Sequence, residues 1–120
     1  EGRIFHPTVL IDVRPEMDVV CNEVFAPVVS LIPVQDFEQG ISLLDDSQYG
    51  LQAGIFTRDI HHAFMAIKTL NVGGVMINDV PTYRADHMPY GGNKNSGIGR
   101  EGARFAIEEM TNIKFVCFNL

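Results

Sequence analysis

The sequence predicts an α/β fold in which strand-helix alternation forms part of a mostly parallel sheet with helices on its faces. Three observations carry that reading. Short β-branched runs bounded by Pro or turn residues recur along the chain, amphipathic stretches of helical period separate them, and capping or glycine signals fall at the joins. A strand, helix, strand, helix, strand order favours crossover connections between parallel strands.

The elements follow in order. Thr8 to Val13 and Val28 to Val34 read as strands, and Pro33, which lacks an N–H, marks an edge or an end. Asp36 followed by Gln39 is a capping-box signal, and Phe37, Ile41 and Leu44 then share one face of a short helix ending near Asp46. Ala53 to Thr57 predicts a short buried strand. Asp59 caps a second helix with Ile60, Ala63, Phe64, Ile67 and Leu70 on one face, and Gly73-Gly74 stops it before a strand at Val75 to Asn78. A third helix is expected from about Arg100 to Met110, with Ala103, Ala106, Ile107 and Met110 on its apolar stripe and Glu108 and Glu109 solvated. Lys114 to Phe118 reads as a last apolar strand, which needs a neighbouring sheet to pair with. There are no internal repeats, low-complexity tracts or long linkers.

With 120 residues and 46% hydrophobic content the chain can bury one modest core. A formal charge of -6 and no Lys/Arg cluster argue against nucleic acid or an anionic membrane as partner. No apolar run is long enough to span a bilayer, and no basic start precedes an apolar stretch, so the expected setting is cytoplasmic. Cys21 and Cys117 make no metal-ligand spacing with each other or with a histidine, and His61 and His62 are helix neighbours that face apart, so no metal site is expected. Both cysteines read as plain thiols, Cys21 half-buried and Cys117 packed within the last strand. His6 reads as a loop residue before Pro7.

The densest signal is M-P-Y-G-G-N-K-N-S-G-I-G-R-E at Met88 to Glu101, where glycines stand beside charged side chains just before a helix. Gly97 to Gly102 satisfies G-x-G-x-x-G, yet the polar, turn-prone residues before it supply no preceding strand, and too little chain follows for a βαβ unit. Lys94 and Ser96 do not meet the order of a P-loop either. Asn78 and Asp79 close the strand that begins at Val75. The segment Val80 to Gly99 therefore leaves the sheet at the edge where α/β proteins gather ligands.

Four ordered motifs together resemble the C-terminal quarter or so of the aldehyde dehydrogenase superfamily. They are N-E-V-F-A-P-V at Asn22 to Val28, Y-G-L-Q-A-G-I-F-T-R-D at Tyr49 to Asp59, G-G-V-M-I-N at Gly73 to Asn78 and P-Y-G-G-N-K-N-S-G-I-G-R-E at Pro89 to Glu101. The T-Y-R-A-D-H-M-P-Y segment is most similar to the branch holding lactaldehyde, succinate-semialdehyde and non-phosphorylating glyceraldehyde-phosphate dehydrogenases. By this resemblance residues 1–112 form the C-terminal part of a catalytic domain and 113–120 an oligomerisation strand, within a homodimer or homotetramer.

The resemblance also implies site roles. Glu23 would bind the hydroxyls of the nicotinamide-side ribose of NAD or NADP, and Phe25 would pack near the nicotinamide; a carboxylate can accept two hydrogen bonds from a vicinal diol. Ala26 departs from the glycine that most relatives carry. Tyr90 would line the substrate tunnel and Glu101 would carry protons from the site. Arg84 and His87, at the expected ligand edge, offer a hold for a carboxylate or phosphate on the aldehyde, with a pair between Arg84 and Asp79 or Asp86 as the competing reading.

The family reaction proceeds by cysteine attack on the aldehyde, hydride transfer to the nicotinamide and hydrolysis of a thioester. Neither Cys21 nor Cys117 stands in the nucleophile motif. The expectation is a fragment lacking the nucleophile and the dinucleotide-binding domain, inactive alone. The alternative is a stand-alone noncatalytic oligomerisation or binding module that uses its final strand to pair with partners.

Overall fold

Strands and helices alternate through the computed structural model, which describes residues 2–120. Two units are present, one ending at Gln48 and the other running from Tyr49 to Leu120. In the first, β1 (Thr8–Leu10) pairs in parallel with β2 (Val28–Ser30), with Thr8 opposite Val28 and Leu10 opposite Ser30. Both strands are shorter than the β-branched runs that predict them. Asp12 takes the left-handed region at φ 56°, which ends extended pairing after Leu10. On the partner strand the ladder makes its last bond from Leu31 N–H to the Leu10 carbonyl, two residues before Pro33.

Between them lies a one-turn helix, α1 (Asp18–Cys21), which the periodicity does not announce because it is too short to show one. The next helix, α2 (Phe37–Asp45), starts where the capping signal places it: Asp36 Oδ1 accepts from Gln39 N–H at 2.8 Å. Gln39 reaches back to Gln35 N–H at 2.6 Å, one residue beyond the reciprocal bond of a standard capping box. Ile41 is buried, whereas Leu44, expected on the same face, is exposed.

The second unit opens with β3 (Tyr49–Gly50) and continues through β4 (Gln52–Ile55), α3 (Ile60–Thr69) and β5 (Gly74–Ile77). β4 and β5 are parallel, with Ala53 opposite Val75 and Ile55 opposite Ile77, and α3 is the crossover between them. Asp59 caps this helix through His61 N–H at 2.8 Å. That hydrogen bond, with the nearby histidines adding to it, holds the Asp59 carboxyl below its ordinary value.

The apolar face of α3 is narrower than its sequence suggests. Ala63, Ala66 and Leu70 are buried with Ala53, Ile55 and Met76, and the helix packs on β5 through small side chains that allow close approach. Ile60, Phe64 and Ile67 form a second stripe that stays exposed. Residue counting assigns both stripes to one face, because alanine ranks below isoleucine and phenylalanine as a core signal.

Two further elements complete this unit. β6 (Asn93–Lys94) pairs antiparallel with β3, Tyr49 opposite Lys94, a ladder absent from the sequence reading because its two-residue strands carry no alternation. The last helix, α4 (Ala103–Met110), begins three residues later than Arg100. Gly102 sits at φ 108°, outside the helical region, and Glu101 is already engaged in backbone pairing with Tyr90, so neither can belong to the helix.

The strand expected at Lys114 to Phe118 is not formed. Residues 111–120 are assigned to no strand or helix among the described residues, and Ile113, Phe115 and Phe118 lie exposed. An isolated segment has no ladder to join. Cys117 is accordingly exposed rather than packed, and Cys21 is exposed rather than half-buried, its Sγ donating to the Pro15 carbonyl at 3.1 Å. No helix among the described residues is long and apolar enough to cross a membrane.

Candidate active site

The predicted site residues fall on two loops, one in each unit. The first loop follows α1, where Asn22 N–H bonds to the Asp18 carbonyl at 2.9 Å and so closes the helix. It enters β2 with Val28 N–H on the Ala26 carbonyl at 2.8 Å. Between these anchors Glu23 is exposed and makes no hydrogen bond or ion pair among the described residues, and Phe25 is 90% exposed. Ala26 lies outside the left-handed region, so its replacement of a glycine causes no backbone strain. The loop thus offers a free carboxylate, an acceptor for two hydroxyl donors such as a vicinal diol, two residues from an uncovered aromatic ring that suits a flat group.

The second loop starts where the parallel pair ends. Asn78, at φ 59°, donates its N–H to the Ile55 carbonyl at 2.7 Å and accepts Thr57 N–H on Oδ1 at 2.8 Å, tying the ends of β4 and β5 together. Asparagine tolerates this left-handed backbone better than most residues. The chain then passes through turns closed by Tyr83 N–H on the Val80 carbonyl and Met88 N–H on the Ala85 carbonyl, and reaches Tyr90.

Tyr90 and Glu101 face each other as an isolated antiparallel bridge, with N–H···O distances of 3.1 Å and 2.6 Å. Arg84 meets both. Its Nη2 lies 2.9 Å from Glu101 Oε2, and its Cζ sits 4.4 Å from the centroid of the Tyr90 ring. The pairing is therefore with Glu101 and not with Asp79 or Asp86; Asp79 Oδ1 instead accepts from Val80 N–H. His87 is exposed and makes no hydrogen bond or ion pair among the described residues, so the structure does not bring it into this group.

Arg84 and Tyr90 line a small cleft of about 150 Å³, together with Gln52, Met76, Tyr83 and Met88. Gln52 Nε2 donates to the Tyr83 carbonyl at 3.3 Å. Gln52 and Tyr83 lie within the family motifs but have no role assignable from the sequence, since each gains its place only when β4 lies beside the loop after β5. On the other side of Tyr90, Glu101 borders a wider recess with Ile98, Ala106 and Met110.

The glycine-rich stretch between Tyr90 and Glu101 is a clasp. Arg100 spends its guanidinium on the loop itself, donating Nη1 to the Gly92 and Gly99 carbonyls at 3.0 Å and 2.7 Å and Nη2 to Asn93 Oδ1 at 2.6 Å. Asn93 Nδ2 passes the chain on to Asn71 Oδ1 at 2.9 Å, and Ser96 Oγ accepts from Gly50 N–H at 2.9 Å. At Gly73 a Cβ would lie 1.6 Å from the Gly91 carbonyl oxygen, so the two backbones meet with no room for a side chain. The loop thus holds Tyr90 and Glu101 in register; Gly91 and Gly92 serve close backbone packing, whereas Gly97 and Gly99 supply positive φ.

A sequence model of the aldehyde dehydrogenase family matches residues 1–116. The chain is 46% identical over 120 residues to a 3-sulfolactaldehyde dehydrogenase of Priestia aryabhattai, covering all of this chain and 25% of that protein. Among solved structures it is similar to aldehyde dehydrogenase 21 of Physcomitrella patens in complex with the reaction product succinate, at TM-score 0.87 and 44% identity over 92% of this chain and 23% of that one. It is also similar to a glyceraldehyde-3-phosphate dehydrogenase of Methanocaldococcus jannaschii complexed with NADP, at TM-score 0.86 and 42% identity over 95% and 25% of the two chains. The chain thus spans about a quarter of the length of the relatives it matches. With the family model matching nearly the whole chain and the fold superposing on solved members, the chain belongs to the aldehyde dehydrogenase family.

Proposed function

We propose that these residues form the C-terminal part of the catalytic domain of an NAD(P)-dependent aldehyde dehydrogenase, which oxidises an aldehyde to a carboxylic acid through a cysteine thioester. The observation that carries the reading is the meeting of Arg84, Tyr90 and Glu101 beyond the end of β5, beside one cleft. The cleft has an aromatic wall, a cation and an adjoining carboxylate, a set that suits a polar aldehyde with an apolar stem.

Each residue has a part. Tyr90 walls the path of the aldehyde, and Arg84 attracts a negative group at the aldehyde's far end. Glu101 takes protons away from the reacting centre. Glu23 holds the ribose hydroxyls and Phe25 limits the position of the ring, and their exposure without internal partners supports both roles. The nicotinamide group, when bound, supplies the hydride acceptor. Neither Cys21 nor Cys117 serves as the nucleophile, so the 120 residues alone turn nothing over.

The proposal extends to a homodimer or homotetramer in which residues 113–120 add a strand to a partner, supported by the uncovered Ile113, Phe115 and Phe118. It also includes a cytoplasmic setting, supported by two free thiols.

The test is aldehyde-dependent reduction of NAD or NADP by the full-length protein, before and after Glu23→Gln. The substitution removes one charged acceptor and is expected to slow hydride transfer about tenfold. Unchanged single-turnover kinetics would reject the ribose role, and no cofactor reduction with any aldehyde would reject the function.

A further inference from the structure

Arg84 stands on a loop, and a long side chain there would sample many rotamers unless something held it. Two groups hold it. The Tyr90 ring lies beneath the guanidinium at 4.4 Å and the Glu101 carboxylate takes Nη2 at 2.9 Å. These two are themselves joined by the paired backbone hydrogen bonds of the Tyr90–Glu101 bridge, so ring and carboxylate form one fixed bracket.

The bracket is asymmetric with respect to the cleft. Arg84 and Tyr90 line it, whereas Glu101 does not, so the carboxylate grips the arginine from outside. Nε and Nη1 of Arg84 make no hydrogen bond among the described residues. Exposed ion pairs contribute little to stability, and with side chains 46% and 67% exposed this pair is of that kind. Its consequence is orientation.

We infer that Glu101 is a positioning residue for substrate charge: by holding one edge of Arg84 it presents the other donors to a carboxylate or phosphate on the aldehyde. This rests on the proposed function above and on Arg84 as the partner of that anion. It differs from proton transfer by Glu101, which would act on every aldehyde alike.

Kinetics of the full-length enzyme with succinic semialdehyde and with butanal separate the two. Arg84→Ala is expected to lower the ratio of kcat/KM for the charged over the uncharged aldehyde about thirtyfold, the loss of one charge-assisted hydrogen bond pair. Glu101→Gln, which keeps the side-chain shape and leaves the backbone bridge intact, should lower the same ratio about fivefold, through KM for succinic semialdehyde. In the double variant the ratio should fall no further than in Arg84→Ala, since Glu101 acts through Arg84. If Glu101→Gln lowers kcat equally for both aldehydes and leaves the ratio alone, the positioning role is overturned while the anion role of Arg84 stands. A ratio untouched by Arg84→Ala overturns both, and a parent enzyme that reduces neither NAD nor NADP with any aldehyde overturns the proposed function itself.

Discussion

The loop at residues 22–27 and the stretch from Met88 to Gly102 both carry family motifs, and they are built in opposite ways. In the first, Glu23 and Phe25 project without internal partners between two backbone anchors. In the second the polar side chains find partners within the fold: Arg100 on the Gly92 and Gly99 carbonyls and Asn93, Ser96 on Gly50, Asn93 on Asn71. A motif can thus record a ligand contact or a packing requirement. The difference lies in whether its side chains find partners within the fold. Tyr90 and Glu101, at the two ends of the clasp, hold Arg84 at the edge of a cleft.

If the clasp is a packing device, the glycine its backbone presses against should be the least tolerant position. Gly73→Ala places a methyl 1.6 Å from the Gly91 oxygen, and the expected result is a loss of more than about 4 kcal/mol, read as a collapse in soluble yield or in the denaturation midpoint. A stable Gly73→Ala protein would show that these backbones do not meet.

Arg100→Ala should come next. It frees two carbonyls and an amide oxygen, and about 3 kcal/mol of stability is expected to go with them. Lysine at the same position should recover little, because a single ammonium does not reproduce the planar fork that reaches three acceptors. Equal stability of Arg100→Lys and the parent would assign the residue's effect to charge alone. The opposite behaviour is expected of the first loop, where Glu23→Gln should leave the denaturation midpoint in place while slowing hydride transfer.

The smallest effect concerns the cap of α3. The Asp59 carboxyl is held below its ordinary value of 3.8 chiefly by His61 N–H, so its ionised form is favoured in the folded chain. The linkage then has one sign: the contribution is present in full above that ordinary value and is lost as pH falls through the lower folded value. Asp59→Ala should therefore lower the melting temperature slightly at neutral pH and converge with the parent in acid. A gap between the two proteins that persists at low pH would assign the effect to helix propensity at the site.

Much of the secondary structure was legible in the sequence, for local reasons. The caps of α2 and α3 were named by Asp36 and Asp59, since a side-chain acceptor two or three residues before free N–H groups needs no distant partner. The β4–α3–β5 crossover followed from apolar period and glycine punctuation. Strand ends were less legible: nothing in the letters required Asp12 to adopt φ 56°. The start of α4 lies later than residue type suggests because Arg100 and Glu101, though good helix formers, are recruited elsewhere by tertiary bonds. The missed β3–β6 ladder joins residues more than forty positions apart in the register Tyr49 to Lys94, and only two residues on each side take part.

The candidate site divides in the same way. Motif and residue type, being properties of the chain, mark the candidates for chemistry without any fold: an acid and an aromatic before β2, and an arginine, a tyrosine and a glutamate around a glycine-rich stretch. The partner of Arg84 is set in three dimensions. Asp79, Asp86 and Glu101 are alike as carboxylates, and Asp86 is far nearer in sequence, yet the backbone bridge from Tyr90 to Glu101 brings the most distant of them to 2.9 Å. Charge pairing depends on distance in space, and that distance is set by where the clasp folds back.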